Sequence, residues 1–328
     1  MANSSLAVVG IGNAIVDIIA HADDAFLAAQ GMAKGGMALI DESKAEALYA
    51  LMPPALEMSG GSAGNTIAGL ASLGSKVGYI GKVRDDGLGK VFRHDLTAAG
   101  VVFPTPASIS GAATARCLIL VTPDAQRTMN TFLGACVQLG PEDIDPALIR
   151  AAGITYLEGY LYDPPLAQQA FHLAADIAHG AGRKVSLSLS DAFCVGRHRD
   201  AFLTLVDHHI DILFANESEI TALFQTDFDK AIAAVRGLAE IVAVTRGAEG
   251  SVVVTADNVI RVPAAPVTRV VDTTGAGDLY AAGFLHGVTQ GRSLAECASL
   301  GGLCAAEIIS HYGARPETPL AGFVSASS

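Results

Sequence analysis

The sequence has few charged residues, few cysteines and no run of basic side chains. Charged residues make up 16% of its 328 positions, and 33 acidic against 21 basic side chains give a formal net charge of −12. A nucleic-acid partner needs clustered Lys and Arg to displace counterions from phosphates, so this balance argues against one. The five cysteines, Cys117, Cys136, Cys194, Cys297 and Cys304, are widely spaced, odd in number and form no CxxC pair. A disulfide framework or zinc site is therefore not expected; buried reduced thiols are. The nine histidines show no metal-ligand spacing. A basic segment ahead of an apolar run is also missing. The stretch from Leu6 to Ala20 is interrupted by Gly10, Gly12, Asn13 and Asp17, so it reads as neither a signal peptide nor a membrane span. Sequons at Asn3 and Asn216 accordingly carry no expectation of secretion. A cytoplasmic chain with no membrane partner is expected. At 51% hydrophobic residues it can bury a sizeable core.

Periodicity sets the fold class. Leu6–Gly12 reads as a buried strand and Ala14–Ala20 as a second extended piece. A helical pattern from Thr66 stops at Gly74, Lys76–Ile80 is a strand, and Leu88–Ala99 is a helix. Val101 to Thr131 holds β-type runs broken by Pro104, Pro106, Gly111 and Pro123, which suggests antiparallel strands and turns. Beyond residue 140 or so the pattern is regular. Strands at Ile154–Leu157, Val185–Leu189, Ile210–Phe214 and Ile241–Thr245 alternate with helical stretches such as Leu166–Ala181, Ala201–Val206 and Lys230–Leu238. Such alternation means βαβ units and a parallel sheet. A hairpin over Ser251–Val262 and two helices, Ala276–Gln290 and Leu294–Ile309, complete the chain. The expected architecture is one doubly wound, mainly parallel α/β domain over residues 1–328, with a small β-sheet lid from parts of about 14–60 and 101–131.

The strongest local signal is Asp272-Thr273-Thr274-Gly275-Ala276-Gly277-Asp278, running directly into an apolar helix. Gly275, Ala276 and Gly277 let successive backbone N–H groups point at one anion, and the helix start adds partial positive charge. Such a turn suits a transferring phosphoryl group, and Asp278 in the same turn can take the proton of an attacking hydroxyl. An ordinary turn with a capping Asp would account for a bare GxGD, but not readily for the whole run. Gly60-Gly61-Ser62-Ala63-Gly64-Asn65 permits close backbone approach to a ligand, and Asn65 offers a donor and an acceptor. Asp17 sits in an apolar run, which is costly for a carboxylate unless it is paired or faces a ligand. Asn216-Glu217-Ser218-Glu219 follows a strand and reads at least as a helix cap with acids in the first turn.

Taken in order along the chain, these motifs resemble those of the PfkB, or ribokinase-like, carbohydrate kinases. The resemblance spans nearly the whole sequence. It implies that Asn13, Asp17, Gly60, Gly61 and Asn65 bind the substrate hydroxyls, and that Asp278 is the base beside the Gly275–Gly277 turn. It implies that Asn216, Thr245, Gly247, Gly250 and Gly313 line ATP, and that Glu219 organises Mg²⁺ through water. A monovalent cation such as K⁺ would bind near Asp272 and Thr274. Gly12 to Ile18, Phe26-Leu27, Lys34 to Asp41, Gln126 to Met129 and Tyr156 to Tyr160 resemble the adenosine kinase-like branch. Adenosine is then the expected acceptor and purine salvage the setting, with a sugar or another nucleoside as the alternative. Phe103, Phe132 and Tyr160 are candidates for a wall against the base, though such residues are more often core. The partners implied are ATP and a small molecule, in a monomer or homodimer.

Other classes fit less well. Gly60-x-Ser62-x-Gly64 matches a hydrolase elbow, but Pro53 to Ser59 reads as a poor strand before it. Gly10-Ile11-Gly12 begins a dinucleotide fingerprint that fails at Ile15, and no Walker A sequence is present. A non-catalytic binding protein on the same scaffold remains a third reading. The intact run to Asp278 argues against it.

Overall fold

A computed structural model describes residues 5–324. The Asn3 sequon and the serine-rich end from Ser325 lie outside them. Thirteen strands are named among the described residues: β1 (Leu6–Ile11), β2 (Ile15–His21), β3 (Met37–Leu39), β4 (Leu56–Ser59), β5 (Val77–Ile80), β6 (Ala115–Val121), β7 (Arg127–Phe132), β8 (Ala152–Glu158), β9 (Lys184–Ser188), β10 (Ile212–Asn216), β11 (Ile241–Thr245), β12 (Ser251–Val254) and β13 (Val259–Val262).

Eight of them form one sheet in the order β13-β12-β11-β10-β9-β8-β1-β5. From β5 to β11 the neighbours are parallel, and the β12–β13 hairpin adds an antiparallel edge. The central strands read as unbroken apolar runs because helices cover both faces, and all seven residues of β8 are buried. On one face Phe171, Ala174 and Ala178 of the helix Pro165–Gly180 pack with Phe202 and Leu205. On the other, helices Ser62–Ser72, Ala276–Thr289 and Leu294–Ile308 bury Ile67, Leu279, Phe284 and Leu300. The strand order switches at β1, with β5 on one side and β8 on the other. Ligands of open α/β sheets bind at such a switch, beyond the carboxyl ends of the strands.

Five strands form a second sheet, β3-β7-β6-β2-β4, from residues 15–59 and 115–132. Side chains alternate between its faces. One face carries Val16, Ile18, Ala20, Leu118 and Leu120 and is covered by helices Asp24–Ala29 and Glu42–Leu51. The other carries Asp17 together with Ile15, Ile19, Cys117, Ile119, Val121 and Met129.

Several sequence expectations change. Val101–Phe103 belongs with the large domain: Val102 bridges Gly78 of β5, and Phe103 packs on Tyr79 and Phe92. Phe103 is therefore core and not a wall for a ligand. The helix expected over Ala201–Val206 runs from Ala192 to His209, with a kink at His198. A strand, β4, does precede Gly60, but it is an antiparallel edge strand of the small sheet, not the main-sheet strand a hydrolase elbow requires.

Candidate active site

The chain places most of the expected site residues at the carboxyl end of the large sheet. Gly12 and Asn13 follow β1, Asn216 ends β10, and Thr245 ends β11 beside it. Two helix starts meet there. The helix Ser62–Ser72 begins after Gly61, and the helix Ala276–Thr289 after Gly275. Gly275 is left-handed, with φ 78°. A Cβ on it would lie 3.0 Å from that of Ala314, so the turn needs glycine for both conformation and space. Gly277 stands in open space beside it.

Asp278 lies in the first turn of its helix. Its Oδ1 accepts from Ser62 Oγ at 2.6 Å and its Oδ2 from Asn65 Nδ2 at 2.9 Å. Burial raises its pKa, and these two hydrogen bonds with the Arg315 charge hold the rise back. Ser62 and Asn65 are three residues apart, so one helix face presents both.

Asp17 approaches from the small sheet. Burial pushes its carboxyl up to about 6, against the charges of Arg127 and Arg315 and with that of Asp278. Gly60 makes room for it: a Cβ there would lie 2.5 Å from Asp17 Oδ2. Gly61 sits against the Asn13 carbonyl. Asn13 donates through Nδ2 to Glu158 Oε1 at 2.7 Å, and its Oδ1 is buried with no partner. Asn65 Oδ1 is likewise buried and unpartnered. Two idle acceptors beside Asp17 and Asp278 suit a ligand that brings hydroxyl or amino donors.

Glu158, Arg127, Arg315 and Asp191 are site neighbours to which the sequence reading gave no role, and Ser62 entered it only through the hydrolase elbow. Glu158, at the end of β8, accepts from Ala63 N at 2.8 Å as well as from Asn13. Burial pushes its carboxyl up to about 7. Arg315 donates to the carbonyls of Ser59 and Gly64, tying β4 to the helix after it. Arg127, at the start of β7, pairs with Asp272. Asp272 also accepts from Thr274 N at 3.0 Å, Thr274 Oγ1 at 2.7 Å and Gly313 N at 3.1 Å. Burial raises its pKa, but these bonds and the Arg127 charge outweigh that and hold it below the ordinary value.

Asn216 and Glu219 form a capping box, each side chain accepting from the other's backbone N–H at 2.9 Å. Burial, with the negative charges of Asp191 and Asp278, pushes Glu219 up to about 7. A carboxylate disfavoured first by burial and then by like charges suits a nearby cation. Among the described residues, however, no group of three or more His, Cys, Asp or Glu could hold a metal by itself. Mg²⁺ keeps several waters and takes much of its shell from phosphates, so this donor set fits it. Gly247 and Gly250 bound the loop after Thr245, where Arg246 N donates to the Gly250 carbonyl at 2.8 Å. Arg246 is not a free charge for phosphates. It pairs with Glu217 at 2.9 Å and Glu249 at 2.6 Å and stacks 4.2 Å above the Phe228 ring. Tyr160 is half-exposed, and Phe132 lies under Arg116.

Comparison with known proteins accords with this geometry. Residues 55–320 match the model of the pfkB family carbohydrate kinases. The chain is similar to the solved adenosine kinase from Sinorhizobium meliloti, at 51% identity and TM-score 0.92, over 99% of this chain and 100% of that one. It is similar to a probable sugar kinase from Rhizobium etli CFN 42, at 48% identity and TM-score 0.92, over 99% of each chain. An ATP-dependent ribose-1-phosphate kinase from Halopiger xanaduensis is 31% identical over 82% of this chain and 86% of its own length.

Fold and site together define a phosphotransferase that acts on a hydroxyl group, on a ribokinase-like α/β scaffold. The chain belongs to the PfkB family of carbohydrate kinases. That family implies ATP as phosphoryl donor, usually with Mg²⁺.

Proposed function

We propose that this kinase transfers the γ-phosphoryl group of ATP to a hydroxyl of a nucleoside, with adenosine the first candidate. The observation that carries the reading is the placement of Asp17 and Asp278. Asp17 stands on a largely apolar sheet face with Ile15, Ile19, Cys117 and Met129, a face that Thr131 and Arg127 share by register, and the Asp278 charge bears on it. A ribose can lay hydroxyls between the two carboxylates while an aromatic base rests on the apolar side chains. A free sugar would leave that face uncovered. The 51% identical neighbour described as an adenosine kinase supports this, and the neighbour described as a probable sugar kinase keeps a sugar as the alternative.

In this reading Asn13, Asp17, Gly60, Gly61 and Asn65 hold the acceptor. The attacking hydroxyl gives its proton to Asp278, whose carboxylate Ser62 and Asn65 keep aimed and ionised. ATP lies along Asn216, Thr245, Gly247, Gly250 and Gly313. The N–H groups of Gly275, Ala276 and Gly277 receive the transferring phosphoryl group, and its spread charge is stabilised by the helix start behind them. Glu219 would hold Mg²⁺ through water, and the bound ion would supply charge neutralisation on the phosphates. The small sheet acts as a lid that excludes water, which would otherwise compete as acceptor. A cytoplasmic monomer or homodimer, forming AMP for purine salvage, completes the proposal.

ADP release measured against adenosine, inosine, guanosine, ribose and fructose tests it. Turnover favouring adenosine is expected. Preference for a free sugar would overturn the nucleoside assignment.

A further inference from the structure

We infer that Arg127 takes the place of a monovalent cation at the anion turn, so that this kinase runs without K⁺. The inference rests on the role given above to Gly275–Gly277. A cation near Asp272 and Thr274 needs free oxygen lone pairs, and here those of the Asp272 carboxylate are taken. Asp272 Oδ1 accepts from both the N–H and the hydroxyl of Thr274, and Oδ2 accepts from Gly313 N and from the Arg127 guanidinium. Four donors on two oxygens fill the carboxylate. The nearby carbonyls are engaged as well. Ile309 O accepts from Val271 N at 2.8 Å, and Thr273 O from Ala276 N at 3.2 Å.

The charge requirement is met without an ion. A bare carboxylate this close to the turn would repel an incoming phosphoryl group, and a single positive charge against it removes that repulsion. Both partners are buried, with side-chain exposures of 9% for Arg127 and 5% for Asp272, so solvent screens the pair little. The two ways of supplying that charge differ in origin. K⁺ would come from solution, whereas Arg127 is the first residue of β7 and arrives with the small sheet. Its charge also reaches Asp17 on the same sheet. The turn's readiness for phosphate is therefore tied to the position of the sheet that carries Asp17, not to the salt in the medium.

Thermal unfolding and initial ADP release should be measured in KCl, NaCl and LiCl at equal ionic strength. The wild type is expected to give the same midpoint and the same rate in all three. Arg127→Met removes the guanidinium but keeps an apolar stem. Its midpoint should climb with KCl concentration and not with LiCl, as binding to the folded state requires. Arg127→Lys retains a positive charge and should stay indifferent. A wild-type midpoint or rate that rises selectively in KCl overturns the inference, and so does an Arg127→Met protein insensitive to K⁺. If Arg127→Met does not fold, the wild-type and Arg127→Lys series still decide it. The midpoint needs no acceptor, so an error in the proposed substrate leaves this readout intact.

Discussion

Ser62 and Asp278, 216 positions apart in the chain, are joined by a hydrogen bond of 2.6 Å. It links the starts of two helices, and Asn65 adds a second bond to the other carboxylate oxygen one turn further on. The proposed base is thus held by a different stretch of chain from the one that supplies it.

Ser62→Ala should move the acid limb of the pH–rate profile to higher pH. Burial raises the Asp278 pKa, and the Ser62 bond is the leading influence that lowers it. A base works only when ionised, so losing that bond requires a higher pH for the same rate. Initial rates across pH check this. A uniform drop with no movement of the limb would mean that Ser62 only supports the structure.

Gly69→Val should separate the two helices and loosen both bonds to Asp278. Gly69 lies on the same helix face as Ser62 and Asn65, and a Cβ there would sit 2.6 Å from Leu279 Cδ1 and 2.9 Å from Ala282 Cβ. Overpacking of this kind costs roughly 1–3 kcal/mol. The unfolding midpoint and the turnover rate should fall together.

Glu158 gives a pH dependence of stability with a definite sign. Burial pushes its pKa from the ordinary 4.5 to about 7 in the folded chain. Between those values the folded state binds the proton and the unfolded state does not, so stability declines as pH rises through that window. The contribution is complete below 4.5 and gone above about 7. Asp17, pushed to about 6, and Glu219, pushed to about 7, act in the same direction. Denaturant midpoints across this range should slope downward, and Glu158→Gln should reduce the slope whatever its absolute stability.

The parts of this protein legible in its sequence are those written in contiguous residues. The apolar runs of β8 and β11 and the helices between them announce a parallel sheet, and Gly275 to Asp278 announces an anion turn at a helix start. What is missing depends on pairings across the chain. Arg127 meets Asp272 across 145 positions, and Arg315 meets Ser59 across 256. Arg315 stands in no pattern that separates it from a solvated one, and Arg127, though inside the segment from Gln126 to Met129, has no neighbour in sequence that points to its partner. Glu158 closes an apolar strand, a placement as unusual for a carboxylate as that of Asp17. The same desolvation argument that singled out Asp17 would have found it. Arg246 is engaged by Glu217 and Glu249, pairings that the sequence does not announce.

The central claim is that Asp278 accepts the proton of the attacking hydroxyl beside the Gly275–Gly277 turn. The measurement that reaches it most directly is the rate of ADP release from Mg²⁺-ATP and adenosine for the wild type and for Asp278→Asn, whose side chain nearly matches in shape but cannot take the proton. The account predicts a loss of roughly 10²–10⁴-fold in turnover, with the unfolding midpoint close to that of the wild type. A variant that turns over at near wild-type rate would contradict it.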